Sequence, residues 1–186
     1  MPHFDYDSAD RDIIGFLHDV ADAAADTIDE VSNWDFSGER DGQYSADVVV
    51  DDVVVAMLEA AGFDVLSEES GLSSGALPVT GNRLLAVVDP LDGSTNASRG
   101  LPWFATSICV VDRDGLRAAL VAEQSGSETR FAAARGGGAN CDGVPLRVTP
   151  MTNITGAVVG VNGAPPADPG LSLIHISEPT RRYAIS

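Results

Sequence analysis

Lysine is absent from this chain of 186 residues, and all 11 basic residues are arginine. A chain without lysine has neither the phosphate-binding lysine of a P-loop nor a lysine that can form a Schiff base. The sequence therefore excludes two large classes of enzyme, the P-loop nucleotide hydrolases and the enzymes that work through a lysine imine.

Positive charge is scarce overall. The 11 arginines face 28 acidic residues, and the formal net charge is −17. Proteins that bind nucleic acid need a basic surface to neutralise the phosphate backbone, so we expect no nucleic-acid partner. The acidity suits a salt-adapted host, whereas a GC-rich genome would also explain arginine in place of lysine, and the sequence leaves that choice open.

Cysteines and long apolar runs are also few. Cys109 and Cys141 are the only cysteines, too few for a disulfide framework and without the spacing of a zinc site. No stretch is long enough to span a bilayer, and the acidic N-terminus lacks the pattern of a signal peptide. We expect a cytoplasmic protein without membrane contact, with both thiols as small core or turn residues.

Two segments are predicted to be helices. Residues 8–33 carry apolar side chains at helical spacing, with Ser8 as a candidate cap. The valines within residues 45–61 favour a strand by propensity, whereas the length, a Ser45 cap and the stop at Gly62 favour a helix. The family resemblance given below decides for a helix.

The remaining apolar runs are short and separated by turn residues, which predicts strands. A loop rich in Ser, Gly and Pro covers 70–83, and no helix follows the glycine run at 136–138, which is therefore not a dinucleotide-binding fingerprint. The predicted strands are 63–67, 84–88, 106–112, 116–122, 129–134, 144–148 and 157–161.

The most informative segment follows the apolar run 84–88 and reads Asp-Pro-Leu-Asp-Gly-Ser-Thr-Asn. Asp89 and Asp92 are hard oxygen ligands of the kind that Mg²⁺ prefers. If a helix starts after Gly93, its first backbone amides can bind an anion. The plainer alternative is an ordinary turn, since Asp, Pro and Gly all favour turns.

Two further acidic groups lie upstream. Glu68 and Glu69 end a predicted strand, and Asp47 opens the second helix with Asp51 four residues later. Alone, the first pair is typical of a solvated surface, and Asp47 of a favourable charge at a helix start. With Asp89, the three groups together favour a metal and phosphate site over these plainer readings.

Along the chain these groups come in the order Asp47, Glu68-Glu69 and the segment that starts at Asp89. In that order they resemble the inositol monophosphatase family, whose signature is DP(I/L)DG(T/S)xN. The resemblance runs from the first helix to about Asn162. It implies a layered α/β sandwich of the inositol monophosphatase and fructose bisphosphatase type. The present chain would be the truncated N-terminal α+β part, with a mostly antiparallel sheet.

The resemblance also implies the metal ligands. Glu68 and Asp89 would bind one Mg²⁺ together with the backbone carbonyl of Leu91. Asp89 would bridge to a second Mg²⁺ that Asp92 also binds. Glu69 would support these ligands from nearby, and a further, loosely held Mg²⁺ is expected near Glu68.

The catalytic and phosphate-binding roles follow from the same resemblance. Asp47 and Ser94 would orient and deprotonate the attacking water, with Ser94 at a position where many family members have Thr. A serine hydroxyl can form the same hydrogen bonds, so this departure is mild. The backbone amides of Gly93 and Ser94 would hold the phosphate.

The implied activity is Mg²⁺-dependent hydrolysis of a small phosphate monoester, such as inositol monophosphate or a related polyol or sugar phosphate. Adenosine 3′,5′-bisphosphate, fructose 1,6-bisphosphate and histidinol phosphate are the alternative substrates. An inactive fragment that only binds cations is the alternative to an enzyme. A homodimer remains open for the full-length protein.

The end of the chain departs from the family. We divide the chain into a family part at 1–170 and an unrelated tail at 171–186. The tail resembles a translated sequencing-adapter read-through, and the alternative is a genuine variable terminus. A further metal-binding Asp of the family would lie in the portion that is missing here, so we expect weak or no activity from this chain, and poor stability on its own.

Overall fold

The computed structural model describes residues 1–75, 77–150 and 152. The chain divides into a compact unit at Met1–Leu146 and a second unit at Arg147–Ser186. The few described residues of the second unit form no helix or strand. The strand predicted at 157–161 and the tail at 171–186 lie outside the described residues.

The first helix, α1, spans Asp10–Glu30 and buries the apolar face that its spacing predicts. Ser8 is not its cap, because Ala9 occupies that position and makes no side-chain capping bond. The Ser8 hydroxyl instead accepts the amide of Asp5 at 2.9 Å, so it closes a turn just before the helix.

The valine-rich segment is helical, as the cap and stop signals indicate: α2 spans Ser45–Ala60. Val50, Val54 and Leu58 lie on its buried face, so tertiary packing overrides the strand propensity of valine. Its N-cap is Tyr44, not Ser45. The Asp47 carboxylate accepts the Tyr44 amide at 2.8 Å and satisfies the helix start.

Within the described residues, eight strands form one sheet in the spatial order β2-β1-β3-β4-β5-β6-β7-β8. β1 and β3 are parallel, and the other neighbours are antiparallel. The predicted α/β fold with a mostly antiparallel sheet is therefore confirmed, although β2 lies in the segment predicted as a loop. The strands are β1 Asp64–Ser67, β2 Gly71–Leu72, β3 Leu85–Asp92, β4 Ala105–Asp112, β5 Gly115–Glu123, β6 Arg130–Ala134, β7 Gly138–Cys141 and β8 Val144–Pro145.

Both long helices pack on one face of this sheet, where Ile108, Val110 and Leu120 point into the common core. The alternate residues of the strands point to the other face, as strand geometry requires. Val121 and Phe131 are paired across β5 and β6 on that second face and are 40% and 43% exposed. The core of this unit is thus one-sided, with both helices over the same face.

A buried arginine, Arg117, binds the start of the chain to strand β5 of the sheet. Arg117 on β5 donates to the backbone carbonyls of Tyr6 and Ser8 and to the carboxylate of Asp10. The Asp112 carboxylate lies within 3.9 Å of Arg117 and accepts two hydrogen bonds from Arg135. These contacts join the N-terminal segment, β4, β5 and the residue that follows β6.

Candidate functional site

The parallel pair β1 and β3 brings two acidic segments to the same edge of the sheet. Ser67 pairs with Val88 in the register of these strands. The Glu68 amide then donates to the Val88 carbonyl at 2.9 Å. Glu68, which follows β1 directly, and Asp89, which lies within β3, are therefore neighbours on adjacent strands.

Asp89 lies in a field of like charge. Its pKa is raised to about 8 by burial, by the Asp92 carboxylate and by the Glu68 carboxylate, while the Leu91 amide donates to it and opposes the rise. Glu69 adds a smaller repulsion. The structure thus brings together the acidic side chains predicted to bind metal, near enough for their charges to interact.

An irregularity in β3 explains how Asp89 and Asp92 can serve one site. Side chains three apart on a regular strand point to opposite faces. Here Asp89 pairs with Ser107 and Asp92 with Ala105, so the β3 segment has one residue more than the β4 segment opposite it. Such a bulge bends the strand and redirects its side chains.

The bulge is held by residues that the sequence reasoning did not identify. The buried Thr106 hydroxyl donates to the Pro90 carbonyl at 2.8 Å. The Gln124 side-chain amide donates to the Thr106 oxygen at 2.9 Å and to the Ala21 carbonyl on α1 at 3.0 Å. Nothing in the local pattern of β4 signals this role, which depends on contacts between distant segments.

Gly93 begins a short helix, α3, at Ser94–Ala97. It has a φ of 98°, and an added Cβ would lie 2.7 Å from the Trp103 carbonyl oxygen. Asn96, which is buried, donates to that same oxygen at 2.8 Å. The predicted phosphate donors, the amides of Gly93 and Ser94, therefore belong to a turn that packs tightly against residues 103 and 104.

Asp47 is buried at the start of α2. Because a tight turn at Gly62 joins α2 to β1, the N-terminus of α2 lies toward the same end of β1 as Glu68. Asp51, one helical turn after Asp47, contacts Ser67 at the end of β1. Asp47 itself accepts the Tyr44 amide, and its pairing with Ser94 remains a prediction.

A polar loop before α2 contacts the corner formed by Glu68 and Glu69 at the end of β1. The side chains of Arg40 and Gln43 both donate to the Glu69 carboxylate. Arg40 also donates to the Glu68 backbone carbonyl at 3.3 Å. Glu69 is therefore bound by protein side chains, which suits the supporting role predicted for it, whereas Arg40 and Gln43 were not identified from the sequence.

The donor set of this corner fits a divalent cation in its chemistry. Glu68, Asp89 and Asp92 offer hard carboxylate oxygens, and Leu91 a backbone carbonyl, the kind of ligand that Mg²⁺ prefers. A cation would relieve the repulsion that raises the pKa of Asp89. Among the described residues, no three His, Cys, Asp or Glu side chains are grouped so that they could hold a metal ion as they stand, so a bound ion would require side-chain adjustment or further ligands.

Comparison with known proteins places this fold and corner in a known group. The sequence profile of the inositol monophosphatase family matches residues 9–169. The chain belongs to the inositol monophosphatase family. Its similarity to the family thus covers both long helices, the whole sheet and the Asp-Pro-Leu-Asp-Gly-Ser segment.

The curated relatives of this family member include bacterial proteins. An inositol-1-monophosphatase of Mesorhizobium japonicum is 34% identical over 135 residues, which are 70% of this chain and 49% of the relative. A protein named Nus factor SuhB of Pseudomonas aeruginosa is 35% identical over 123 residues, 65% of this chain and 44% of that protein. The chain therefore spans less than half the length of these relatives.

Solved structures agree on the fold. The extragenic suppressor protein SuhB of Bartonella henselae superposes with a TM-score of 0.64 at 27% identity, covering 75% of this chain and 55% of that one. An extragenic suppressor of Pyrococcus furiosus gives a TM-score of 0.62 at 26% identity, covering 75% and 56%. In the described part of this inositol monophosphatase family member, no helix has the length and apolar character needed to cross a membrane.

Proposed function

We propose that this inositol monophosphatase family member hydrolyses a small phosphate monoester with the help of Mg²⁺. The observation that carries the proposal is the position of Asp89, on the strand beside Glu68 and three residues before Asp92, where both carboxylates repel its charge. A repulsive cluster of hard ligands beside a glycine turn suits a cation and a phosphate, and plain surface acidity does not require it.

Each residue of the corner has a role in this proposal. Glu68, Asp89 and the Leu91 carbonyl would hold one ion, and Asp89 and Asp92 a second. Bound Mg²⁺ would neutralise the phosphoryl charge and lower the pKa of a water molecule. In this proposal the acidic residues that follow β1 and lie in β3 would supply the anionic ligands that the ions need.

The groups outside the metal ligands would orient the reactants. Ser94 would hydrogen-bond the attacking water, and Asp47 would receive its proton. The backbone amides of Gly93 and Ser94 would hold the phosphate oxygens in the turn that opens α3. These roles are proposed from the position of the turn next to Asp92 and from the family resemblance.

The substrate proposed first is inositol monophosphate or a related polyol or sugar phosphate, in keeping with the name of the Mesorhizobium relative. Adenosine 3′,5′-bisphosphate, fructose 1,6-bisphosphate and histidinol phosphate are the alternatives. The net charge of −17 favours such small substrates over a nucleic acid. We place the enzyme in the cytoplasm, and a homodimer remains open for the longer protein.

The competing function is cation binding without catalysis. It is favoured for the present chain because the aligned part of this chain covers less than half of the matched relatives. Both functions share the metal corner, so activity separates them and metal binding does not.

Phosphate release is the test. We expect a full-length version of the protein to release phosphate from inositol 1-phosphate with Mg²⁺ and to stop when EDTA is added. We expect the 186-residue chain to bind Mg²⁺ with little turnover. If the full-length protein releases no phosphate from any of the named esters with Mg²⁺, the proposed function is wrong.

A further inference from the structure

A buried hydrogen-bond chain runs from α2 to the Glu68–Glu69 corner. The Ser67 hydroxyl donates to the Asp51 carboxylate, and both residues are less than 5% exposed. The same Ser67 oxygen accepts the backbone amide of Glu69 at 3.1 Å. The single hydroxyl therefore acts as donor and acceptor at once, and it joins the helix to the turn after β1.

This series of hydrogen bonds holds the backbone just after Glu68, and the pairing with β3 holds the amide of Glu68 itself. The Glu68 amide is bound to the Val88 carbonyl at 2.9 Å, and the Glu69 amide to the Ser67 oxygen at 3.1 Å. With two successive amides bound, the direction in which the Glu68 side chain leaves the backbone is fixed relative to β3, where Asp89 lies.

Because it is buried, Asp51 is the fixed end of this series of hydrogen bonds. It lies on the same face of α2 as Val50, Val54 and Leu58, which anchor that helix in the core. A hydroxyl left without a fixed acceptor could rotate away from the turn, whereas a carboxylate on a rigid helix keeps it oriented. The plain alternative is that Asp51 and Ser67 only stabilise the fold.

We propose that Asp51 is a positioning residue that acts through Ser67 to hold Glu68 in place for Mg²⁺. The inference rests on the proposed function, because Glu68 is a metal ligand only within it. Residues that orient a metal ligand through hydrogen bonds typically change metal affinity about 10–100-fold when they are replaced. Neither Asp51 nor Ser67 is proposed to touch the ion.

The experiment is a Mg²⁺ titration of the full 186-residue chain by calorimetry, together with its melting temperature in EDTA. We expect Ser67→Ala and Asp51→Ala to weaken Mg²⁺ binding about 10-fold or more. Ser67→Thr keeps the hydroxyl, and Asp51→Asn keeps an oxygen acceptor, so each should restore most of the affinity that alanine loses at the same position. Asp52→Asn, on the exposed face of the same helix, is the control for the change of charge and should bind as wild type does.

A purely structural role gives a different result. If the alanine variants melt lower in EDTA yet bind Mg²⁺ with wild-type affinity, the positioning role is wrong, and it is equally wrong if the wild-type chain binds no Mg²⁺. If Ser67→Ala yields no folded protein, Ser67→Cys, with its larger atom and weaker donor, should show the same loss of affinity. Intact positioning together with no phosphatase activity in the full-length protein would overturn the proposed function alone.

Discussion

At the scale of single residues, Asp89 makes stability and function oppose each other. Its pKa of about 8 lies far above the ordinary Asp value of about 3.9. In the absence of metal, the folded chain therefore binds a proton that the unfolded chain has already lost. The stability contributed by that proton is complete below a pH of about 4 and disappears as the pH rises through about 8.

Replacing Asp89 with Asn should separate these two effects. The variant mimics the protonated carboxyl, so in EDTA its free energy of unfolding should exceed that of wild type at about pH 8.5 and lose this advantage near pH 4. Mg²⁺ binding, and phosphate release in the full-length protein, should both be lost. Denaturant titrations at several pH values check the first expectation, and a variant with the same pH slope as wild type would contradict it.

Ser94 makes a contrasting case because it is proposed to position water and not to bind metal. Ser94→Ala in the full-length protein should slow the chemical step by about 10²–10⁴-fold, the usual contribution of acid–base assistance. Mg²⁺ affinity should change little. Single-turnover rates at saturating Mg²⁺, measured beside the metal titration, decide the matter, and a large loss of metal affinity with a normal saturated rate would refute the assigned role.

At the scale of the elements, the turn between β3 and α3 depends on Gly93. Gly93→Ala should lower the free energy of unfolding by more than about 1 kcal/mol, because alanine is strained at positive φ. The added Cβ would also meet the Trp103 carbonyl oxygen at 2.7 Å. Gly100, with a φ of 66° and nothing within 4 Å of an added Cβ, is the matched control, since its replacement carries only the conformational cost.

Chemical denaturation of both glycine variants measures the difference between the two sites. The Gly93 variant should be the less stable one, and it should also bind Mg²⁺ more weakly because the turn follows Asp92 directly. Equal losses at the two positions would show that the close approach of Trp103 has no energetic consequence.

The elements also show what the sequence could and could not predict. The apolar spacing of α1 and the runs of β3 to β6 are local signals, and they place these elements to within a few residues. The β-bulge between Asp89 and Asp92 has no such signal, because it rests on Thr106 of β4 and on Gln124, which follows the neighbouring strand β5 and binds Thr106. For the same reason the sequence identifies the acidic residues of the corner and misses Arg40, Gln43 and Ser67, which only the fold brings to it.

At the largest scale, Arg117 connects the chain start to the sheet, and the Asp112 carboxylate binds Arg135 and lies 3.9 Å from Arg117. The Arg135 guanidinium lowers the pKa of Asp112 through a side-chain hydrogen bond, and burial opposes it. A lowered pKa contributes stability above the unfolded value of about 3.9, and that stability is lost as the pH falls through the folded value. Acid should therefore weaken the contacts of Asp112 with Arg135 and Arg117.

Asp112→Asn tests this connection. At neutral pH the variant should have a lower free energy of unfolding, because Asn lacks the charge that Asp112 presents to Arg135 and Arg117. The difference from wild type should shrink as the pH falls below about 3.9 and vanish only below the lowered pKa of the folded Asp112, where both side chains are neutral. Thermal or denaturant unfolding across this pH range gives the measurement, and a deficit that persists in acid would mean that shape, not charge, holds the segment.

The parallel pairing of β1 and β3 also affects the order in which parts of the sheet form and open. From β3 onward each strand pairs with the next one along the chain, so that meander can form through local contacts, which are made quickly. The β1–β3 pair forms only when the segment 68–84 closes and brings the two strands together. Closing this longer segment costs more loop-closure entropy. We therefore expect the acidic corner to assemble last and to open first, with the Glu68 amide exchanging its hydrogen sooner than those of β4 and β5 in native-state exchange; slower exchange there would reverse that order.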